Sequence, residues 1–254
     1  MAGTILNIVA VIVGSGVGLV AGHRLTPKIQ ESVVTGLGFV VFVIAIQNAM
    51  KSGNIIIPLL ALAFGAIIGE LLDLDGQLKR FGGWLQARVG ASDQESEDAA
   101  VQARLRFITG FVTATLVFEI GPLAILGPIQ NGLNAGDIQL LVVKSTLDFF
   151  AAMAFAASLG MGVAFSVLPM AVVQGGFSVV GIGMAGLFTA SATGLSASNP
   201  YILELTATGG LILIGLSMVL LSIKQPRVAN YLPALFIAPL LVLLVQVSHL
   251  AIPV

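Results

Sequence analysis

The chain has 254 residues, of which 57% are hydrophobic and only 9% charged, with a mean hydropathy of +1.05 and a net charge of −1. Soluble proteins carry about 25% charged residues to solvate their surface, so this composition excludes a soluble globule and describes an integral membrane protein. The few scattered basic residues exclude a phosphate-tracking groove for nucleic acid, and the absence of cysteine excludes disulfides and thiolate metal sites, while His23 and His249 are too few and too far apart for zinc.

Crossing the hydrocarbon takes about 20 apolar residues in a helix. Such runs fall at roughly 4–22, 32–50, 55–73, 107–129, 138–158, 163–187, 201–222 and 232–251. They predict an all-α fold, a polytopic transmembrane helical bundle of about eight spans forming one integral membrane domain over 1–254. Its parts are the first three spans in 1–73, a cytoplasmic amphipathic loop over 74–106, spans four and five in 107–158, and the last three spans in 163–254. The first run, GTILNIVAVIVGSGVGLVAG, lacks the basic flank of a secretory signal and is expected to be retained.

Basic residues stay on the cytoplasmic side. The loops after spans one, three and seven carry Arg24, Lys28, Lys79, Arg80, Arg88, Arg104, Arg106, Lys224 and Arg227, whereas the opposite face has only Lys51. Both termini are therefore expected outside, with His249 near the outer interface. In the long loop Leu74, Leu78, Phe81, Leu85 and Val89 recur at helical spacing beside Trp84 and Arg88, the pattern of a helix lying along the headgroups. The acidic SDQESEDAA that follows reads as a mobile connection into Arg104 and Arg106.

Small residues four apart, Gly14, Gly18 and Gly22 on span one, Gly65 and Gly69 on span three, and Ala152, Ala156 and Gly160 on span five, allow close backbone approach where no hydrophobic drive operates. A faint internal repeat pairs TGLGFVVFVIAIQNAMKSGNIIIPLLAL, from Thr35, with TGGLILIGLSMVLLSIKQPRVANYLPAL, from Thr208. In the expected topology the two copies are inverted, with the last three spans echoing the first three. Inverted repeats are a recurring build of secondary transporters, whose substrate site lies near the midplane.

The ionisable residues point to the same level. Glu119 lies roughly 18 Å in from Phe107, Asp148 roughly 15 Å in from Ile138 and Gln174 roughly 17 Å in from Val163 at a helical rise of about 1.5 Å, all near the middle of a core about 30 Å thick. Asn7, Gln47, Asn48, Gln130, Asn131 and Glu204 fall nearer the outer face, and Glu70 nearer the inner. Pro122 cannot donate to the carbonyl of Phe118, nor Pro128 to that of Ala124, so span four is expected to kink or break within EIGPLAILGP. Gln174, Gly175 and Gly176 suggest a second irregularity in span six. Lys144 and Asp148, spaced i, i+4, can pair along one helix face. That pair reads either as a self-neutralising structural element or as one that opens when a proton or cation binds Asp148, with Lys144 as the competing internal cation. Charge at this depth marks a pathway or binding site by default.

LLALAFGAIIGELLDLDGQLKRFGGWL, FITGFVTATLVFEIGPLAILGPIQNGL, VVKSTLDFFAAMAFAASLGMGVAFSVLP and KQPRVANYLPALFIAPLL resemble the landmarks of the bacterial membrane family called domain of unknown function 554, the YqgA-like proteins. The resemblance covers nearly the whole chain. It implies a multi-pass protein of the bacterial cytoplasmic membrane, without established activity and often presumed a transporter. It also implies shared landmarks at Gly69, Glu70, Gly110, Thr113, Gly127, Gln130, Gly132, Lys144, Ser145, Asp148, Gln174, Asn230 and Pro233, with Glu119 and Pro122 as departures. Together these readings predict a secondary transporter or exchanger for a small polar or ionic solute, coupled to protons or sodium. Its candidate binding residues are Asp148, Lys144, Glu119, Gln130, Gln174, Ser145 and Thr113. A channel is the nearest alternative, and a membrane scaffold or accessory subunit acting through the loop is an alternative of another class. No catalytic nucleophile with a base, metal cluster or phosphate loop is legible, so neither enzymatic activity nor a cofactor is expected. The expected partners are the lipid bilayer, the solute and, for a homodimer, a second copy.

Overall fold

The computed structural model describes residues 1–89, 97–185 and 199–248. Among these every regular element is helical: α1 (Ala2–Gly22), α2 (Pro27–Ala49), α3 (Ile56–Leu72), α4 (Leu74–Val89), α5 (Glu97–Glu119), α6 (Pro122–Leu133), α7 (Gln139–Leu159), α8 (Val167–Ala185), α9 (Pro200–Leu220) and α10 (Ala234–Val247). Two 3-10 turns, Met161–Ser166 and Val228–Tyr231, lead into α8 and α10. Seven of the described spans are long and apolar enough to cross a membrane, and α3 makes an eighth when taken with α4 across the break at Asp73. The outer faces are apolar: Ile5, Val9, Ile12 and Val20 of α1 and Leu59, Phe64, Ile67 and Leu71 of α3 are exposed, while Thr4, Asn7 and Ser15 are buried. That is the inversion a lipid solvent demands, since apolar side chains face hydrocarbon and polar ones need protein partners.

The helices group into two compact units. The first comprises residues 1–37, 76–119 and 123–183, and the second 38–75, 120–122 and 184–254. In the first unit α1 lies along α7 in parallel, with Gly3 against Leu141 and Gly14, Gly18 and Gly22 against the backbone of Phe149, Met153 and Ala157. A methyl group at any of these three would meet a carbonyl oxygen, so the predicted glycine strip serves a backbone-to-backbone seam. Helix α4 rests on α5 through Phe81 and Phe111, whose ring centroids are 5.8 Å apart. Trp84 stacks on Phe81 and carries the guanidinium of Arg88 at 4.3 Å from its ring. That aromatic and cationic edge suits a headgroup layer. In the second unit α3 runs antiparallel to α10, Gly65 meeting Ala234 and Gly69 meeting Asn230. Eight alternating spans require spans one and five to run the same way and spans three and eight opposite ways, as these two pairs do.

Span four differs from a single run over 107–129. It breaks after Glu119: Ile120 and Gly121 lie outside both helices, the residue before a proline being disfavoured in the helical region, and Pro122, lacking an N–H, opens the next helix. Helix α6 then continues through Pro128. The irregularity expected at Gln174–Gly176 is absent, since α8 is continuous there; it lies instead in the 3-10 turn before α8, after Gly160 closes α7 at φ 82. Half of the acidic connection is helical, because α5 begins at Glu97. The remainder of that connection (90–96), the end of span six, and the end of span eight with His249 lie outside the described residues.

Candidate functional site

Four helices of the first unit deliver a polar cluster into an apolar interior. Its members are Asn7 on α1, Glu119 at the end of α5, Lys144 and Asp148 on α7, and Gln174 on α8, with relative exposures of 0, 8, 5, 7 and 0%. The Lys144 ammonium donates to Asp148 Oδ2 at 2.6 Å and to the carbonyl of Phe118 at 2.7 Å. That carbonyl is the one Pro122 cannot serve, so the proline that breaks span four leaves the acceptor that holds the lysine. Asn7 Nδ2 lies 3.0 Å from Asp148 Oδ2, 3.3 Å from Gln174 Oε1 and 3.5 Å from Met170 Sδ. Gln174 Nε2 in turn donates to Glu119 Oε1 at 3.1 Å. One continuous network therefore joins α1, α5, α7 and α8.

The network is incomplete in one respect. Among the described residues, no donor serves Glu119 Oε2 or Asn7 Oδ1, both of them buried. Both are acceptors, and buried acceptors without a donor cost about 1–3 kcal/mol each. The charges do not balance either: among the described residues two carboxylates face one ammonium, and α1 and α8 contribute Asn7, Met170 and Gln174, none of them ionisable. The arrangement can therefore take one more positive charge, as a proton on a carboxyl group or as a small cation with oxygen ligands.

Of the residues predicted from sequence, Asp148, Lys144, Glu119 and Gln174 come together. Gln130 sits apart, donating to Asp137 Oδ2 at 2.7 Å beyond the end of α6. Ser145 turns its hydroxyl back to the Leu141 carbonyl of its own helix at 2.6 Å. Thr113 is buried on α5, and no hydrogen bond among the described residues ties it to the cluster. Asn7 is the member that sequence reasoning placed elsewhere, near the outer face. A signal existed, since Asn7, Val11, Gly14 and Gly18 share one helix face, and a face that packs glycine against a neighbour must bury its amide there too.

A separate cavity of about 760 Å³ lies between the far ends of α1 and α7, lined by Leu19, Gly22, His23, Gln30, Arg106 and Ala157 among others. Arg106 is held there by Gln30 Oε1 at 2.7 Å and the Ser158 carbonyl at 2.8 Å. None of the five cluster residues lines this cavity.

The family model described as "Protein of unknown function (DUF554)" matches residues 2–243. The chain is 30% identical to the uncharacterized protein YqgA of Escherichia coli (strain K12) over 237 residues, covering 93% of this chain and 94% of that protein. It is 26% identical to the uncharacterized membrane protein YdfK of Bacillus subtilis (strain 168) over 250 residues, covering 97% of each. No solved structure matches.

Proposed function

Because the chain belongs to the DUF554 family, a membrane family of unknown function, we propose that it is a secondary transporter or exchanger for a small polar or ionic solute, coupled to a proton or sodium ion taken up beside Glu119 and Asp148. One observation carries the reading: the buried cluster holds one more carboxylate than it has cations, and an oxygen of Glu119 has no donor. An unpaired charge in hydrocarbon costs several kcal/mol, so the cluster exists in a state that has acquired a positive charge. Release of that charge leaves Glu119 competing with Asp148 for Lys144. Because Gln174 bridges Glu119 and Asn7, a change at Glu119 is felt on α1 and α8. Four helices thus share one switch, which is what coupling an ion to a solute requires. Inverted halves and the bacterial inner membrane with both termini outside belong to the same reading.

A scaffold or accessory role is the second reading, favoured by the burial of all five side chains, which also locks four helices together. The two separate in reconstituted vesicles. Purified full-length protein in proteoliposomes is screened against small polar and ionic solutes by current recordings under sodium or pH gradients. A transporter gives gradient-dependent currents that E119Q and D148N abolish while both remain folded; currents that persist without any gradient coupling indicate a channel. No current with any solute, together with thermal stability indifferent to sodium and protons, overturns the transport reading.

A further inference from the structure

Polar groups are distributed unevenly on the two sides of the cluster. Toward the N-terminus of α1 they form a file. At its outer end Asn134, Ala135 and Gly136 are exposed, and Asp137 and Gln130 are half-buried. Next comes the buried Asn131, whose Nδ2 donates to the carbonyls of Ala135 at 3.1 Å and Asp137 at 3.3 Å and whose Oδ1 accepts from the Gly3 backbone at 3.3 Å. Beside Gly3, Thr4 Oγ1 and Ser178 Oγ lie 3.2 Å apart, both buried. One turn further along each helix are Asn7 and Gln174, already in the cluster. Helix α6 approaches α8 closely enough for this because Gly132 and Gly181 meet at their crossing.

The other side is built differently. Beyond Asn7 the inner face of α1 is Val11, then Ser15 as its one buried hydroxyl among the glycines seated on the backbone of Phe149, Met153 and Ala157. On the neighbouring helices Phe111 of α5 and Ala152 and Phe155 of α7 are almost fully buried. Only past this plug does the 760 Å³ cavity open, about 12 Å along α7 from Asp148 to Ala156 at the helical rise of 1.5 Å per residue.

Resting on the coupling reading above, we propose that a monovalent cation, proton or sodium, reaches the cluster from the side carrying the N-terminus of α1, past Asp137 and Asn131 and then the Thr4–Ser178 hydroxyl pair, while the α1–α7 glycine seam closes the opposite route to the cavity. The chemistry of the file fits that cargo. Its members are a carboxylate, amide and carbonyl oxygens and two hydroxyls, which can replace water around a small cation or pass a proton from oxygen to oxygen. Among the described residues that form the file, none has a lysine, arginine or histidine side chain before Lys144 is reached. The orphaned Glu119 Oε2 and Asn7 Oδ1 lie at its inner end, where the cation would bind.

The chain contains no cysteine, so single-cysteine variants report directly. T4C, S178C and S15C are made in the full chain, with A135C and A99C as exposed markers of the two ends. Right-side-out and inverted vesicles are treated with membrane-impermeant methanethiosulfonates of similar size, one cationic and one anionic. T4C and S178C should react from the side on which A135C reacts. The cationic reagent should be about tenfold faster there, corresponding to about 1.4 kcal/mol of preference, and S15C, within the plug, should stay unlabelled. Labelling of T4C or S178C only from the A99C side, equal rates with both reagents, or an unreactive S178C beside a reactive S15C overturns the path. The coupling reading fails separately: there the labelling pattern stands, but sodium and protons no longer slow labelling of S178C. If only the path is wrong, ion-dependent thermal stabilisation persists while the labelling pattern is lost. Thermal melting of each variant identifies any that fails to fold, and T4C and S178C each suffice alone.

Discussion

Two buried glutamates, one in each compact unit, have opposite surroundings. Glu204 of α9 is saturated: Oε1 accepts from the backbone of Gly53 at 2.7 Å and Asn54 at 3.0 Å, and Oε2 from the Ser52 hydroxyl at 2.8 Å. It captures the turn between α2 and α3, whose free N–H groups would otherwise go unserved. Glu119 of α5 has one donor, the Gln174 amide, and a bare second oxygen beside an ion pair. Both carboxylates are equally expensive to bury, yet only one is fully compensated by local donors. A saturated carboxylate holds a fold together, whereas an unsaturated one leaves room for chemistry. The difference between the two glutamates therefore lies in how fully their oxygens are served.

The comparison is broken hardest at Lys144. K144M removes the ammonium that faces the two carboxylates and leaves Asp148 without its cation, which costs about 3–5 kcal/mol. Thermal or chemical unfolding in detergent should show that loss, and the double variant K144M/D148N should recover most of it. A K144M protein as stable as wild type would mean the carboxylates are not charged in the folded state. The next effect belongs to the other unit. E204A strands two backbone N–H groups and a hydroxyl and should destabilise by about 2–3 kcal/mol, since the N–H of the exposed Gly53 can donate to water instead. E204Q should restore most of that stability, because its amide oxygen can accept from both N–H groups and its NH₂ can donate to Ser52. Glu204 needs the right shape more than its charge.

Why one glutamate was legible as a candidate and much else was not follows from what each signal measures. Charge at mid-span marked Glu119, Lys144 and Asp148, and the i, i+4 spacing gave the ion pair outright. Pro122 foretold both the break in span four and the unserved carbonyl of Phe118, because proline chemistry is local. The seven or eight helical spans were likewise written in hydropathy. Asn7 was missed because depth was counted from the start of each apolar run, and that count cannot know that α1 is set along α7 with Gly3 beside Leu141. A side chain six residues into α1 therefore reaches one ten residues into α7. Gly175 and Gly176 misled for a related reason. Nothing lies within 4 Å of where their side chains would be, so they neither break α8 nor admit a neighbour. Glycine in sequence is one symbol for seam, turn and open surface, and only tertiary contacts distinguish them.

Charge counting orders the remaining variants. D148N leaves Lys144 with the Phe118 carbonyl and Glu119 as its counter-charge, a neutral cluster, so its cost should be about 1–2 kcal/mol, below that of K144M, through weakening of the charge-assisted bonds at Oδ2. Its unfolding midpoint should no longer respond to sodium or pH through the cluster.

E119Q is the smallest perturbation and the sharpest test. It too neutralises the cluster, but it keeps the Lys144–Asp148 pair, and its amide oxygen still accepts from Gln174, so stability should change by less than about 1 kcal/mol. What should disappear is ligand stabilisation. A cation at 100 times its dissociation constant contributes about 2.7 kcal/mol to the wild-type protein, and that increment should fall to nothing in E119Q while it survives in E204Q. Melting curves of the three proteins across sodium concentrations at fixed ionic strength and across pH decide the matter. An E119Q protein that keeps the wild-type ion response would make its carboxylate as structural as that of Glu204 and erase the contrast between the two units.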